Sequence, residues 1–555
     1  MVSRTIPWQL GVLVLVGATL LPLQGQDKTA KPKLVLVLSV DQMRFDYLTR
    51  FSSLYQGGLR RLLDQGAVFS KALLRHGITD TGPGHAVILS GRHPSHTGIV
   101  SDRWYDAARK KVTFLVEDSR YSALGGQGGS YSPANLLGPT VGDVLKEHSP
   151  QSRVVALSLR ERAAILMAGH RGDAAYWYEP ARGEFVTSTY YMKETPGWLE
   201  QWNRRRFPDV YAGQQWTRLL PDETVYEKHA GKDDIVGEWD RRDIRFPHAI
   251  RGKPPESRFF DDFRRTPFAD EMTVDIALEA AKAHQLGTDG ATDILAVGLA
   301  ATDVIGHTYG ADSQETMDQL LRLDRTLQKL LDGIDRTVGL ASTLVVLTSN
   351  HGALPLVEVL QARGVDAHRS SPADLKAAAD QALQARFPDA QDLIAHYDAP
   401  NFYLNEAAIQ KQQLVREVVE STLAAGLMST DLVEAVYTQA QLLSQGRSAD
   451  PYLELYRNSF YAERSPHLLV RLKKYVYLND RLGGTGHGSP YDYDRHVPVV
   501  FMGSGIRPGR YAEPCGPEDI APTLARLLGL EYSKEPDSRL LLEMMPSRPP
   551  RQTKR

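Results

Sequence analysis

Carboxylate, imidazole and hydroxyl side chains gather in five short stretches of this chain: Val40-Asp41, Ile78-Thr79-Asp80-Thr81-Gly82-Pro83-Gly84-His85, Ala301-Thr302-Asp303-Val304-Ile305-Gly306-His307, Ser349-Asn350-His351-Gly352 and Gly484-Thr485-Gly486-His487-Gly488-Ser489. Asp303 and His307 lie four residues apart, so they share one face of a helix or tight turn. A hard carboxylate oxygen beside imidazole nitrogen is zinc-type ligation. Asp303, His307 and His487 would make a three-ligand site with an open position, and Asp41 with His351 half of a second. Two metals about 4 Å apart clamp both oxygens of an in-line phosphoryl displacement. The hydroxyl in reach is Thr81, ahead of the apolar helical run Ala86 to Ser90. A hydroxyl at a helix N-terminus is ordinarily a cap. The same position favours anions, and a metal-bound hydroxyl ionises into a nucleophile for phosphorus. The spacing leaves both roles open.

The elements that must position these residues are short apolar runs: Leu34 to Val40, Arg153 to Leu159, Asp293 to Leu299, Ser342 to Thr348 and Val497 to Met502. They read as buried parallel strands, too continuous for strands with one wet face. Helical patterns lie between them, such as Asp270 to Lys282 and Ser313 to Leu331. Strands alternating with helices predict a layered α/β domain with a mostly parallel sheet, in which ligands bind beyond the carboxyl ends of the strands. Two stretches break the rhythm, 171–268 and 353–482, and are expected as insertions forming a cap.

The 555 residues carry 65 Lys+Arg against 67 Asp+Glu, with 42% hydrophobic residues. That composition is ordinary for a globular chain and excludes a disordered or polytopic membrane protein. The balanced charge gives no nucleic-acid footprint. A single cysteine, Cys515, excludes an intrachain disulfide and a cysteine-based zinc site. Arg4 followed by the apolar run Leu10 to Leu23 predicts a signal peptide over residues 1–25, with an uncleaved anchor as the alternative. An exported, cysteine-poor chain suits a bacterial periplasm. Residues 547–555 read as a charged disordered tail, leaving 26–546 as the catalytic domain.

Taken together, these stretches resemble the alkaline phosphatase superfamily. The likeness is to the branch holding type I phosphodiesterases/nucleotide pyrophosphatases and phosphate-irrepressible bacterial alkaline phosphatases. It runs from about Lys33 to about Leu530 and is carried by Val40-Asp41-Gln42-Met43-Arg44-Phe45-Asp46-Tyr47, Thr79 to His85, His96-Thr97-Gly98-Ile99-Val100, Trp104-Tyr105-Asp106, Thr302 to His307 and Gly486-His487-Gly488-Ser489-Pro490. The resemblance implies a three-layer α/β/α core and two zinc ions. One would be held by Asp303, His307 and His487, the other by Asp41, His351, Asn350 and the nucleophile Thr81. It also implies a phospho-threonine intermediate, small phosphate esters as substrates, no nucleic-acid or stable membrane partner, and a monomer.

The monoesterase branch is similar at one more place, a Ser-x-Lys-x-Arg whose cations grip the phosphate. Here Ser158-Leu159-Arg160-Glu161-Arg162 ends a strand, and residues two apart on a strand face one side, so Arg160 and Arg162 are expected as the clamp. Two cations suit a dianionic monoester better than a diester. A phosphodiesterase, or a non-catalytic phosphate-binding relative, is the competing reading. A sulfatase is excluded, because Thr81-Gly82-Pro83-Gly84-His85 lacks that branch's Cys or Ser followed by x-Pro-x-Arg. Two positions depart from the family pattern. Its second-metal Asp is Asn350, and its phosphate-binding Asn aligns with Asp102. The carboxylate count is unchanged, which gives two expectations: Asp102 takes over part of the lost carboxylate's role as a direct or outer ligand of the second metal, or it points away and the second site is weak.

Overall fold

The computed structural model describes residues 31–546 apart from 126–128, 240–242, 447, 482 and 537; the leader expected over 1–25 and the tail 547–555 lie outside them. Ten strands form the main sheet: β1 (Leu34–Val40), β2 (Ala67–Phe69), β3 (Ala123–Leu124), β4 (Val154–Ser158), β5 (Ala174–Glu179), β6 (Glu184–Ser188), β7 (Asp293–Leu299), β8 (Thr343–Thr348), β9 (Val499–Gly503) and β10 (Gly509–Tyr511). Their order is β10-β2-β9-β8-β1-β7-β4-β5-β6-β3. The central run β8-β1-β7-β4-β5 is parallel. β1 reads LVLVLSV and is buried along its whole length, as a strand covered on both faces must be. Val40 pairs with Leu299 and Ser39 with Thr348, so β1, β7 and β8 end level. That register brings Asp41, the helix Ala301–Tyr309 and Asn350-His351 to one edge of the sheet.

Three expectations need correction. The strand expected over Val497 to Met502 is found at Val499–Gly503 and runs antiparallel to both β8 and β2. An apolar run reports burial on both faces and carries no direction. Residues 171–268 are not simply a cap. They supply β5 and β6 to the main sheet, and Trp202, Trp216, Tyr226, Phe259, Phe260 and Phe263 join the core under it with Leu34, Leu36 and Leu38. The aromatic richness of that stretch is core material. The second helix, Gln314–Thr337, extends past Leu331, and Ser313 caps its start by accepting from the Thr316 N–H. Part of 353–482 forms a second lobe with its own sheet and core. Ile394–Asp398, Asn401–Leu404, Val433–Thr438 and Leu468–Leu472 form a four-stranded sheet that shares a separate apolar core with the helices Pro372–Arg386 and Arg416–Met428.

Candidate active site

Three imidazoles are aimed by the same device. The Nδ1 of His307 lies 2.7 Å from the Thr485 carbonyl, that of His351 2.9 Å from the Gly352 carbonyl and that of His487 2.9 Å from the Thr79 carbonyl. A carbonyl can only accept, so each Nδ1 donates its proton there and each Nε2 faces the site. His307 Nε2 then lies 3.1 Å and His487 Nε2 3.9 Å from Asp303 Oδ1, while His351 Nε2 lies 3.2 Å from Asp41 Oδ1. Two ligand-like groups result, Asp303/His307/His487 and Asp41/Asp303/His351, with donor atoms within 4.8 Å of one another in each. Asp303 belongs to both. The rings of His351 and His487 stack with centroids 3.5 Å apart.

The electrostatics of these groups ask for a cation. Asp41 and Asp303 are both buried and repel each other. Burial alone would raise Asp303, yet the charges of His307 and Arg160 hold it well below the usual carboxylate range. Burial likewise opposes charge on His351, but Asp41 outweighs it and lifts the ring to about 9. Burial and the neighbouring His351 and His307 push His487 well below an ordinary imidazole, which keeps its lone pair. Asp41 Oδ2 is buried without a hydrogen-bond partner. Buried carboxylates, inward Nε2 atoms and an orphaned oxygen are the donor set of a divalent metal such as zinc.

Thr81 is the first residue of the helix Thr81–Ser90, and its Oγ1 lies 3.2 Å from His351 Nε2. The helix begins at the threonine itself because the glycines after it allow close approach. A Cβ on Gly84 would sit 2.1 Å from the Asn350 carbonyl oxygen.

Neither arginine is the strand residue that its spacing predicts. β4 ends at Ser158, Arg160 is the N-cap of the helix Glu161–Ala168 and Arg162 lies in its first turn. They still turn toward the site. Arg160 Nη2 donates to Asp303 Oδ2 at 2.6 Å, and Arg162 Nε lies 3.1 Å from Asp102 Oδ2. Asp102 lies beside the start of the Thr81 helix rather than among the carboxylate–imidazole donors. Its Oδ1 accepts from the Gly82 N–H at 2.6 Å, and neither ligand-like group includes it. Asn350 is turned with its amide group toward Asp41. Its Oδ1 accepts from the Gln42 and His351 N–H groups at 3.2 and 3.0 Å, so its NH2 faces Asp41 Oδ1. Rotating the amide would set its NH2 against two N–H donors. The side chain stands beside the metal group as a donor.

Two residues have roles here that the sequence motifs did not assign. Gln42, in a left-handed conformation with φ 64°, donates from Nε2 to Asp303 Oδ1 at 3.1 Å; its place beside Asp41 is the available signal. Asp270 reads as the start of its own helix, Phe268–Ala283. Its carboxylate instead accepts from the Ala301 N–H at 3.1 Å and from Gln319 Nε2 at 2.8 Å. It therefore caps the helix that carries Asp303 and His307, whose own N-cap makes no side-chain bond. A cavity lined by Pro400, Tyr456, Val470, Tyr477, Tyr491 and His487 opens between the site and the second lobe.

The type I phosphodiesterase/nucleotide pyrophosphatase family model matches residues 35–489. Alkaline phosphatase PafA of Elizabethkingia meningoseptica is 33% identical over 95% of this chain and 96% of its own length. Alkaline phosphatase PhoV of Synechococcus elongatus is 30% identical over 93% of each chain. The crystal structure of wild-type PafA superposes with a TM-score of 0.87, covering 93% of this chain and 99% of PafA at 31% identity.

Proposed function

Because this chain belongs to the type I phosphodiesterase/nucleotide pyrophosphatase family, we propose that it is a metal-dependent phosphomonoesterase in which Thr81 is the nucleophile. The carrying observation is the Thr81 hydroxyl at a helix N-terminus, 3.2 Å from His351 and beside the two carboxylate–imidazole groups. The full-length likeness to named alkaline phosphatases supports the monoester as substrate. Asp303, His307 and His487 would hold one zinc, and Asp41 and His351 with Thr81 the other. Zinc bound there would supply charge neutralisation for the phosphoryl group and a lowered pKa for the threonine hydroxyl.

The chain's own residues then do the positioning. Thr81 Oγ1 loses its proton to solvent and attacks phosphorus in line. The new P–Oγ1 bond forms as the ester P–O bond breaks, and the leaving oxygen takes a proton from water and departs as the alcohol toward the cavity of Tyr456 and Tyr491. Water subsequently cleaves the P–Oγ1 bond, restoring the threonine and releasing phosphate. The Gly82 N–H at the helix start and the Arg162 guanidinium are the donors aimed at the phosphoryl oxygens. Arg160 and Gln42 hold Asp303, and Asp270 holds the helix beneath it. The Arg4 and Leu10–Leu23 leader supports export to the periplasm, with the chain acting as a monomer on small phosphate esters.

The test is removal of metal with a chelator, then titration with zinc while hydrolysis of 4-nitrophenyl phosphate is followed. Activity should vanish and return, saturating at two zinc ions per chain. Turnover untouched by thorough chelation would overturn the reading.

A further inference from the structure

Asp102 stands on the donors that an incoming phosphoryl group would use. Its Oδ1 takes the Gly82 N–H, the amide next to Thr81, at 2.6 Å, and its Oδ2 lies 3.1 Å from Arg162 Nε. Arg162 is the guanidinium of the pair that is not engaged with Asp303. The arrangement is not an ordinary cap. The helix Thr81–Ser90 has its own N-cap residue, Asp80, whose side chain makes no cap bond and accepts from Ser101 Oγ instead. The amide is left to a residue twenty positions away. The approach is tight and kept open by a glycine, since a Cβ on Gly82 would meet Leu115 at 2.6 Å and Asp102 Oδ1 at 2.9 Å. Arg162 is buried to 11% side-chain exposure, whereas Asp102 retains 31%, so the carboxylate sits on the solvent side of the pair.

We propose that Asp102 is a resident anion on the phosphoryl subsite and a specificity-determining residue. It disfavours doubly charged phosphoryl groups, the monoester's and the product phosphate's alike, relative to singly charged phosphodiesters. A ligand must displace the carboxylate from an amide and a guanidinium or bind beside it, and repulsion from a fixed charge grows with the charge of the ligand. The same residue thereby weakens product inhibition. The inference rests on the Thr81 phosphatase reading and adds the charge class that the site admits.

The experiment uses the zinc-loaded full chain and its Asp102→Asn and Asp102→Ser variants. Three quantities are compared: inhibition by inorganic phosphate, calorimetric binding of phosphate, and the ratio of kcat/KM on 4-nitrophenyl phosphate to that on methyl 4-nitrophenyl phosphate. Both variants should bind phosphate at least about tenfold more tightly and raise the monoester-to-diester ratio by at least about tenfold, the scale of one removed charge in a partly screened site. In an Arg162→Ala background the gain should shrink, because Arg162 is the cation that Asp102 occupies. Unchanged or weaker phosphate binding, or an unchanged ratio, would overturn the proposal. A chain that turns over neither ester would fail the phosphatase reading, while calorimetry on the same protein would still decide the role of Asp102.

Discussion

Removing the Asp270 carboxylate should loosen the helix that presents Asp303 and His307. Asp270 is 1% exposed and accepts from the Ala301 N–H and from Gln319 Nε2. Gln319 Nε2 also reaches Thr302 Oγ1 at 3.2 Å, so Asp270→Ala leaves chiefly the Ala301 amide without a partner. A buried unsatisfied donor costs about 1–3 kcal/mol and a lost cap about 1 kcal/mol, which puts the variant roughly 2–3 kcal/mol below wild type. Asp270→Asn should cost less than about 1 kcal/mol. Its carbonyl serves Ala301, and Gln319 Oε1, which has no partner, can rotate to accept from the new amide.

Burial raises Asp270 from 3.8 to about 7, so the folded state favours its protonated form. Its contribution is therefore full below about pH 4 and lost as pH rises through 7, amounting to about 4 kcal/mol over that window. Asparagine does not titrate, so Asp270→Asn should overtake wild type above neutrality. Urea unfolding at about pH 5 and about pH 9 measures both effects. The reasoning is refuted if alanine costs less than about 0.5 kcal/mol, if asparagine is as costly as alanine at the lower pH, or if it gains nothing at the higher.

Arg162→Ala should cut monoester kcat/KM by about 100-fold or more, the scale of one oxyanion donor. Arg160→Ala should act through Asp303 and weaken metal binding by about 10–100-fold; excess zinc in the assay should rescue Arg160→Ala and leave Arg162→Ala impaired. Asn350→Asp replaces an amide donor to Asp41 with a second carboxylate. It should lower the melting temperature of the metal-free protein and raise affinity for the second zinc, both readable by calorimetry with and without chelator. Burial opposes charge on His248, but Asp243 and Glu315 lift it to about 9. Its stabilisation should be whole below about pH 6.5 and fade as pH rises through 9, so the stability gap between wild type and His248→Gln should narrow across that range in urea titrations.

The fold was legible where burial dominates. The runs Leu34 to Val40 and Asp293 to Leu299 read as strands with the bounds found, because a strand covered on both faces must be apolar throughout. Direction was not legible: Val499–Gly503 is as apolar as the central parallel strands and runs antiparallel to both of its neighbours. The aromatic stretch 171–268 read as a departure from strand–helix rhythm. Its residues are core because Trp202, Trp216 and Phe259 fill space under the sheet that periodicity cannot assign.

In the site, Asp303, His307, His351, His487 and Asp41 converge as their motifs implied. The partners that aim them could not be read, since backbone carbonyls of Thr79, Thr485 and Gly352 have no sequence signature. Asp102 and Asn350 show the limit most clearly. As letters they suggest an exchange of carboxylates around one metal. In space Asn350 is pinned by two N–H groups beside Asp41, and Asp102 sits on the Thr81 helix with Arg162. The two changes answer to different neighbours, so their effects on turnover should combine independently.

The central claim is that Thr81 attacks phosphorus. The most direct test is turnover of Thr81→Ala on 4-nitrophenyl phosphate at zinc occupancy matched to wild type. A loss of at least about 100-fold is expected, with folding intact, because the nucleophile and the metal groups work as one unit. Turnover near that of the wild-type chain would contradict the account.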